Sequence, residues 1–90
     1  GGHTQLLLKR YFEATVREVA GRYHVPSGLS ETELHEWLDR IVAARQGTET
    51  LATLKRSLAA GTVPTVVLAR RIHRFRKEMI DVSKRSRPPQ

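Results

Sequence analysis

One spacing in this chain is typical of a metal site. The run His35-Glu36-Trp37-Leu38-Asp39 imitates the H-E-x-x-H helix of zinc proteases, with Asp39 in place of the second histidine. Residues i and i+4 share a helix face, and an aspartate oxygen can ligate zinc. Such a site also needs a third ligand and a cleft, and the other histidines show no matching spacing: His3, His24 and His73. We therefore predict no metal site and interpret His35 and Asp39 as part of a solvated helix face.

Nucleophilic and phosphate-binding chemistry find no support in the residue pattern. The chain has no cysteine, which excludes thiolate nucleophiles and disulfides. Its serines are typical of turns and caps, and Gly28, Gly47 and Gly61 are isolated at helix ends, so they form no phosphate-cradling loop. A core built from 90 residues leaves little room for a pocket of ~300 Å³, the lower size usual for small ligands. We predict that the chain is not an enzyme, needs no cofactor and takes no small-molecule substrate.

The positive charge is concentrated at one end of the chain. The formal net charge is +7, and residues 55–90 hold ten Lys and Arg against Glu78 and Asp81, a local charge of +8. Residues 30–50 carry five acids against Arg40 and Arg45. This asymmetry makes an acidic protein, an anionic membrane surface or a polyanion the natural partner class.

Cations of the last helix and the tail are the candidate contacts for an anionic surface: Arg70, Arg71, Arg74, Lys77, Lys84, Arg85 and Arg87. Arg70, Arg74 and Lys77 share a flank at i, i+4 and i+7, with Arg71 nearer the apolar seam. We expect Glu78 and Asp81 to neutralise part of that flank, which leaves the strongest field at Arg70, Arg71 and the tail. Among the aromatic residues, Tyr11 is the candidate exposed side chain, whereas Trp37 is expected in the core.

Four amphipathic helices are expected to position these residues. Helix 2 begins near Glu31, because Ser30 at N-cap and Glu33 at N3 form a capping box with a Leu29–Leu34 staple, and Gly47 ends it. Helix 1 is predicted over residues 4–24 and helix 3 over residues 49–60, with Thr48 as N-cap. Helix 4 opens near Pro64 and runs to residue 82 with an apolar a/d seam: Leu68, Ile72, Phe75, Met79 and Val82.

These elements predict an all-α chain, a small four-helix bundle with a disordered basic C-terminal tail. Residues 1–3 are interpreted as a tag or linker remnant, residues 4–82 as a single helical domain and residues 83–90 as the tail. The connections are short, so sequential helices are expected to pack antiparallel or at a steep angle.

The order of local features resembles one known group of proteins. A long helix ends near Arg22-Tyr23, Gly28-Leu29-Ser30 precedes Glu33-Leu34, and Leu54-Lys55-Arg56-Ser57-Leu58-Ala59-Ala60-Gly61 precedes a basic terminal helix. From Leu8 to Met79 this order resembles the cytosolic C-terminal region of uncharacterised bacterial membrane-anchored proteins encoded beside MoxR-type AAA ATPases. The resemblance implies a cytosolic domain just inside a membrane, where Lys and Arg are in excess, and an accessory role in an assembly.

The first functional hypothesis is a non-catalytic helical interaction module, as the cytosolic domain of a larger bacterial membrane protein, that meets another protein or an anionic membrane surface. A second is a small nucleic-acid-binding protein without sequence specificity. Specific readout is disfavoured, because helix 3 would present Glu49 to phosphate and helix 4 begins Val63-Pro64-Thr65-Val66. A third is an accessory domain of an enzyme whose catalytic part lies outside this chain. The alternative without any partner is a basic face that only solvates the domain. The expected location is cytoplasmic.

Overall fold

Four α-helices account for the secondary structure of the described residues. The computed structural model describes the backbone of residues 2–85 and the side chains of residues 3–81. The helices are α1 (Gly2–Arg22), α2 (Glu31–Ala44), α3 (Leu51–Ala60) and α4 (Thr65–Arg85), and this range contains no strand. The all-α prediction is confirmed. Helix α4 extends three residues beyond its predicted end, and the remainder of the predicted tail, residues 86–90, lies outside the described range.

The helices form a closed ring of neighbours, in which α1 packs on α4, α4 on α3, α3 on α2 and α2 on α1. Helices α1 and α4 run in the same direction, because Leu6 and Leu68 both line one cleft near the helix starts, while Arg76 donates to Glu18 further along both helices. Helix α3 runs against its neighbours, since its last residues lie beside the start of both α1 and α4. The result is a bundle around one core.

Helices α1 and α2 run in the same general direction, which differs from the arrangement expected of sequential helices. The ring of Phe12 meets that of His35 with centroids 5.7 Å apart, and the Arg45 guanidinium lies 5.6 Å from the Tyr23 ring centroid. Residues 23–30 carry the chain back between the two helices. Eight extended residues can span about 26 Å, so this connection can run back along most of the length of α1 before α2 begins.

The core is one cluster of buried apolar side chains to which all four helices contribute. Leu8, Phe12, Val16 and Val19 of α1 face the buried seam of α4, and Leu38, Val42, Leu51 and Leu54 complete the cluster. The α4 seam is confirmed at these positions: Leu68, Ile72, Phe75 and Met79. The side chain of Val82 lies outside the described range. Ile80 is also buried, at 4 % exposure, although the seam pattern left it on the solvent side.

The predicted capping box of α2 is confirmed. The backbone N–H of Glu33 donates to Ser30 Oγ at 3.1 Å, and the N–H of Ser30 donates to Glu33 Oε1 at 2.9 Å. These bonds lower the pKa of the Glu33 carboxyl below its ordinary value. Two orphan donors at the helix start are thereby satisfied within four residues of sequence.

The end of α2 and the start of α3 differ from the prediction. Gln46, not Gly47, adopts the left-handed conformation (φ 56°), and the N–H of Gly47 donates to the carbonyl of Val42 at 2.9 Å, which completes a Schellman motif. Thr50, not Thr48, is the N-cap of α3, and its Oγ1 accepts from the N–H of Thr53 at 3.2 Å. Residues 45–50 are held by contacts distant in sequence, described below.

Candidate functional site: the outer face of α4 and an apolar cleft

Helix α4 turns one of its predicted surface cations inward. Arg71 donates from Nε to Glu49 Oε1 at 2.9 Å, from Nη2 to Glu49 Oε2, and from Nη2 to Ser57 Oγ at 3.1 Å. The two side chains are 21 % and 13 % exposed. The hydrogen bond from Arg71 lowers the pKa of Glu49 below its ordinary value. Arg71 therefore joins α4 to α3 and to the segment before it, and the expectation that it carries the strongest outward field is wrong.

Arg76 makes the equivalent connection to α1. Its Nε and Nη2 donate to the two oxygens of Glu18, each at 2.8 Å. This pair is more exposed than the first, at 37 % for Arg76 and 42 % for Glu18. The hydrogen bond lowers the pKa of Glu18 below its ordinary value. Two arginines of α4 thus bracket its buried seam, one on each side.

The remaining described cations of α4 point to solvent. Arg70, Arg74 and Lys77 are exposed, and they take part in none of the ion pairs formed within residues 3–81. We call these three residues the outer face. Lys84, Arg85 and Arg87, the other predicted contacts, have side chains beyond the described range.

One of the two acids expected to neutralise this face, Glu78, is engaged elsewhere. Glu78 accepts from the N–H of Thr48 at 3.1 Å and from its Oγ1 at 2.5 Å, so its carboxylate holds the segment before α3. Arg74 lies near enough to Glu49 to lower the pKa of that carboxyl, after the larger effect of Arg71. Asp81, the other acid expected to neutralise this flank, lies one turn beyond Lys77 on the same helix, so that part of the expectation stays a prediction.

The aromatic candidates are both partly buried. Tyr11, predicted to be exposed, packs against the hydrophobic core, and Trp37 does the same from α2. Tyr23, for which the sequence pattern indicated no bonding role, donates from its hydroxyl to the carbonyl of Met79 at 2.6 Å. These contacts give the aromatic side chains a role in packing between helices.

The zinc-protease-like run serves packing and capping. His35 lies edge-on to Phe12, and burial lowers the pKa of its imidazole below the ordinary value. Asp39 accepts from the N–H groups of Leu51 at 2.7 Å and Ala52 at 3.1 Å, so it satisfies two orphan donors of α3. The interpretation of these residues as a solvated face is wrong for both. Within the described chain, no three His, Asp or Glu side chains are grouped to hold a metal ion.

An apolar cleft of about 570 Å³ opens between the first turns of α1, the last turn of α3 and the start of α4. Its floor is formed by Leu8, Phe12, Leu58, Val63 and Leu68. This volume falls within the range of ligand pockets, whereas the length of the chain led us to expect little room for one. Lys55 and Glu31, joined at 3.1 Å, lie on its rim with both side chains more than half exposed.

The cleft exists because α2 begins late. Helix α2 starts at Glu31, beside Lys9, whose charge lowers the pKa of that carboxyl after the larger effect of Lys55. The first two turns of α1 therefore have α3 and α4 as neighbours but extend past the start of α2. One wall of the bundle is missing at this end.

Comparison with known protein families, with curated proteins and with solved structures finds no match for this chain. The resemblance drawn from the sequence therefore stays a prediction. Among residues 2–85, no helix combines the length and apolar character required to span a bilayer.

Proposed function

We propose that this chain is a non-catalytic helical interaction module that binds an acidic protein surface through the outer face. The observation that carries the proposal is the division of the α4 cations. Arg71 and Arg76 are paired inside the domain, whereas Arg70, Arg74 and Lys77 are exposed and outside the ion pairs of the described residues. Cations left without an internal partner are available to an external one.

The spacing of the outer face favours a protein partner over a duplex. Arg70, Arg74 and Lys77 stand at i, i+4 and i+7 and span about 10 Å along the helix axis. Carboxylates at the same spacing on a partner helix would match them one to one, and the guanidinium fork suits a carboxylate. Three exposed cations neutralise few phosphates, and such a contact to DNA would weaken steeply as salt rises.

The proposed place of this module is an accessory position in a larger assembly. The sequence resemblance described above supports this placement, as do the internal ion pairs that hold α4 against both α1 and α3. A surface on a rigid helix binds without first ordering its own backbone, which lowers the entropic cost of association.

Fluorescence anisotropy with a labelled poly-glutamate peptide tests the proposal at about 50 mM and about 200 mM salt. The variant Arg70→Ala/Arg74→Ala/Lys77→Ala should lose binding. Its control, Arg17→Ala/Arg22→Ala/Arg40→Ala, removes three other exposed cations and lowers the net charge equally, from +7 to +4. Equal loss in both variants would show that only net charge matters. Duplex DNA bound more tightly than the peptide at the higher salt would favour the nucleic-acid hypothesis instead.

A further inference from the structure

The exposed large apolar side chains gather at one end of the bundle. Leu6 is 47 %, Leu7 64 %, Val66 58 % and Val67 40 % exposed. Leu6 lines the cleft together with residues that flank the two valines, so all four lie where α1 and α4 begin. We call the cleft and these four residues the open end. Single exposed apolar side chains are ordinary, but a cluster of them beside a cleft marks an interaction surface.

The shape of the open end is that of a bundle lacking one helix. Helices α1, α3 and α4 supply three walls around the apolar floor, and α2 begins too late to supply the fourth. In a four-helix bundle the missing position is filled by the apolar stripe of a helix. A helix laid there would cover the floor residues Leu8, Leu58 and Leu68 and pack its edges against Leu6.

The charges around the open end favour one sign of charge on the residues that flank the apolar stripe of such a helix. Lys9 lines the cleft, Arg10 stands one helical turn after Leu6, and Arg56 stands one turn before Ala59. All three cations are exposed and take no part in the ion pairs of the described residues. Two glutamates line the cleft. Glu31 is paired with Lys55, so Glu13 is the one that remains to balance these cations. The border thus has an excess of positive charge. A second copy of a chain with net charge +7 would bring like charges together, so the border favours a different, acidic partner.

We propose that the open end binds the apolar face of an amphipathic helix of a partner protein, a helix whose flanking residues are acidic. Recognition of this kind places apolar side chains at i, i+3 or i+4 and i+7 in a groove, while charges at the border set orientation and partner choice. The open end uses residues other than those of the outer face, so this inference stands or fails separately from the proposed function.

The test uses two synthetic fluorescein-labelled helices with leucines along one face. One carries glutamate on both flanks, and its twin carries lysine at each of those positions. The acidic helix should bind the full chain, and the basic twin should not. Leu6→Glu/Val66→Asp should weaken binding by about tenfold or more, because it removes apolar surface from the open end and adds charge of the same sign as the acidic helix. Both residues are exposed, and an acid in the first turn of α4 is favoured by the helix dipole, so this variant keeps its fold.

Two controls make the result specific. Ala14→Glu/Ser27→Asp adds the same charge at exposed positions that do not line the cleft, and it should bind the acidic helix as the parent chain does. Arg70→Ala/Arg74→Ala/Lys77→Ala, the variant that removes the outer face, should also retain binding of the acidic helix.

Several results would overturn the proposal. The acidic helix could fail to bind, the basic twin could bind equally well, or Leu6→Glu/Val66→Asp could bind as the parent does. If neither helix binds, but phosphatidylglycerol vesicles bind the parent chain and not Leu6→Glu/Val66→Asp, the open end would be assigned to a lipid surface. A dimer in sedimentation equilibrium that Leu6→Glu/Val66→Asp dissociates would assign it to a second copy.

Discussion

The two arginine–glutamate pairs of α4 form an internal comparison of how exposure sets the strength of an ion pair. Arg71–Glu49 and Arg76–Glu18 both join a guanidinium to the two oxygens of one carboxylate. They differ in exposure, with 21 % and 13 % in the first pair and 37 % and 42 % in the second. We predict that the first pair shows clear energetic coupling and that the second shows several times less.

The magnitude follows from where the first pair lies between two limits. Solvent-exposed pairs contribute about 0–1 kcal/mol, whereas removing one partner of a fully buried pair costs about 3–5 kcal/mol. Arg71→Met should therefore cost about 2–3 kcal/mol, part of which is the penalty of leaving Glu49 unpaired. The coupling energy in a double-mutant cycle with Glu49→Gln should be about 1–2 kcal/mol. Methionine keeps an apolar stem, so the loss of packing is small.

Urea unfolding followed by far-ultraviolet circular dichroism measures the four states of each cycle, with Glu18→Gln and Arg76→Met as the second cycle. The loss in Arg71→Met also corresponds to a fall in Tm of about 8–24 °C for a domain of this size. Raising the salt should reduce the coupling of the exposed pair more than that of Arg71–Glu49. Equal coupling energies in the two cycles would refute the argument that burial decides the difference.

Three further predictions concern capping, close packing and pH. Asp39→Ala should cost about 1–2 kcal/mol in urea unfolding through loss of the bonds to the start of α3, and an unchanged midpoint would refute the capping role. Gly47→Ala should lower the free energy of unfolding by about 1–3 kcal/mol, because its Cβ would lie 2.8 Å from Val42 Cγ1. In a Val42→Ala background the same substitution should cost much less. An equal cost in that background would place the strain elsewhere. Burial lowers the pKa of the His35 imidazole below 6.5 in the folded chain. As pH falls, the unfolded chain therefore takes up this proton before the folded chain does. The stability contributed by His35 is present above pH 6.5 and falls as pH drops below it. His35→Gln should flatten the dependence of the urea midpoint between about pH 7 and pH 5, and an unchanged slope would contradict this assignment.

Local signals in the sequence predicted the local structure well. The capping box of Ser30 and Glu33 and the seam of α4 are both present, since each depends on residues within one or two turns of one another. Burial of Ile80 escaped the pattern because it lies outside the a/d spacing of that seam. Its position faces a neighbouring helix only once the bundle has closed.

Contacts distant in sequence decided what the pattern could not. Thr48 and Thr50 are both acceptable N-caps by type, and the choice between them follows from Glu78, thirty residues away, which holds Thr48. Asp39 resembled a metal ligand because its spacing from His35 is local, whereas its role as a cap depends on a neighbouring helix. The cleft likewise depends on where α2 begins relative to α1, which is a property of the assembled bundle.

The internal pairs of α4 mark the two edges of its buried seam and so show which way the outer face points. At about 100° per residue, positions 71 and 76 lie about 140° apart around the helix, one toward α3 and one toward α1. The seam residues fill the arc between them, and Arg70, Arg74 and Lys77 lie together on the opposite side of the helix, about 240–300° around from Arg71. The helical spacing of the sequence already places Arg70, Arg74 and Lys77 on one flank, and the structure adds that Arg71 and Arg76 are paired inside the domain. The buried seam fixes the rotation of α4 in the bundle, the two pairs border that seam, and the same rotation turns the other three cations to solvent.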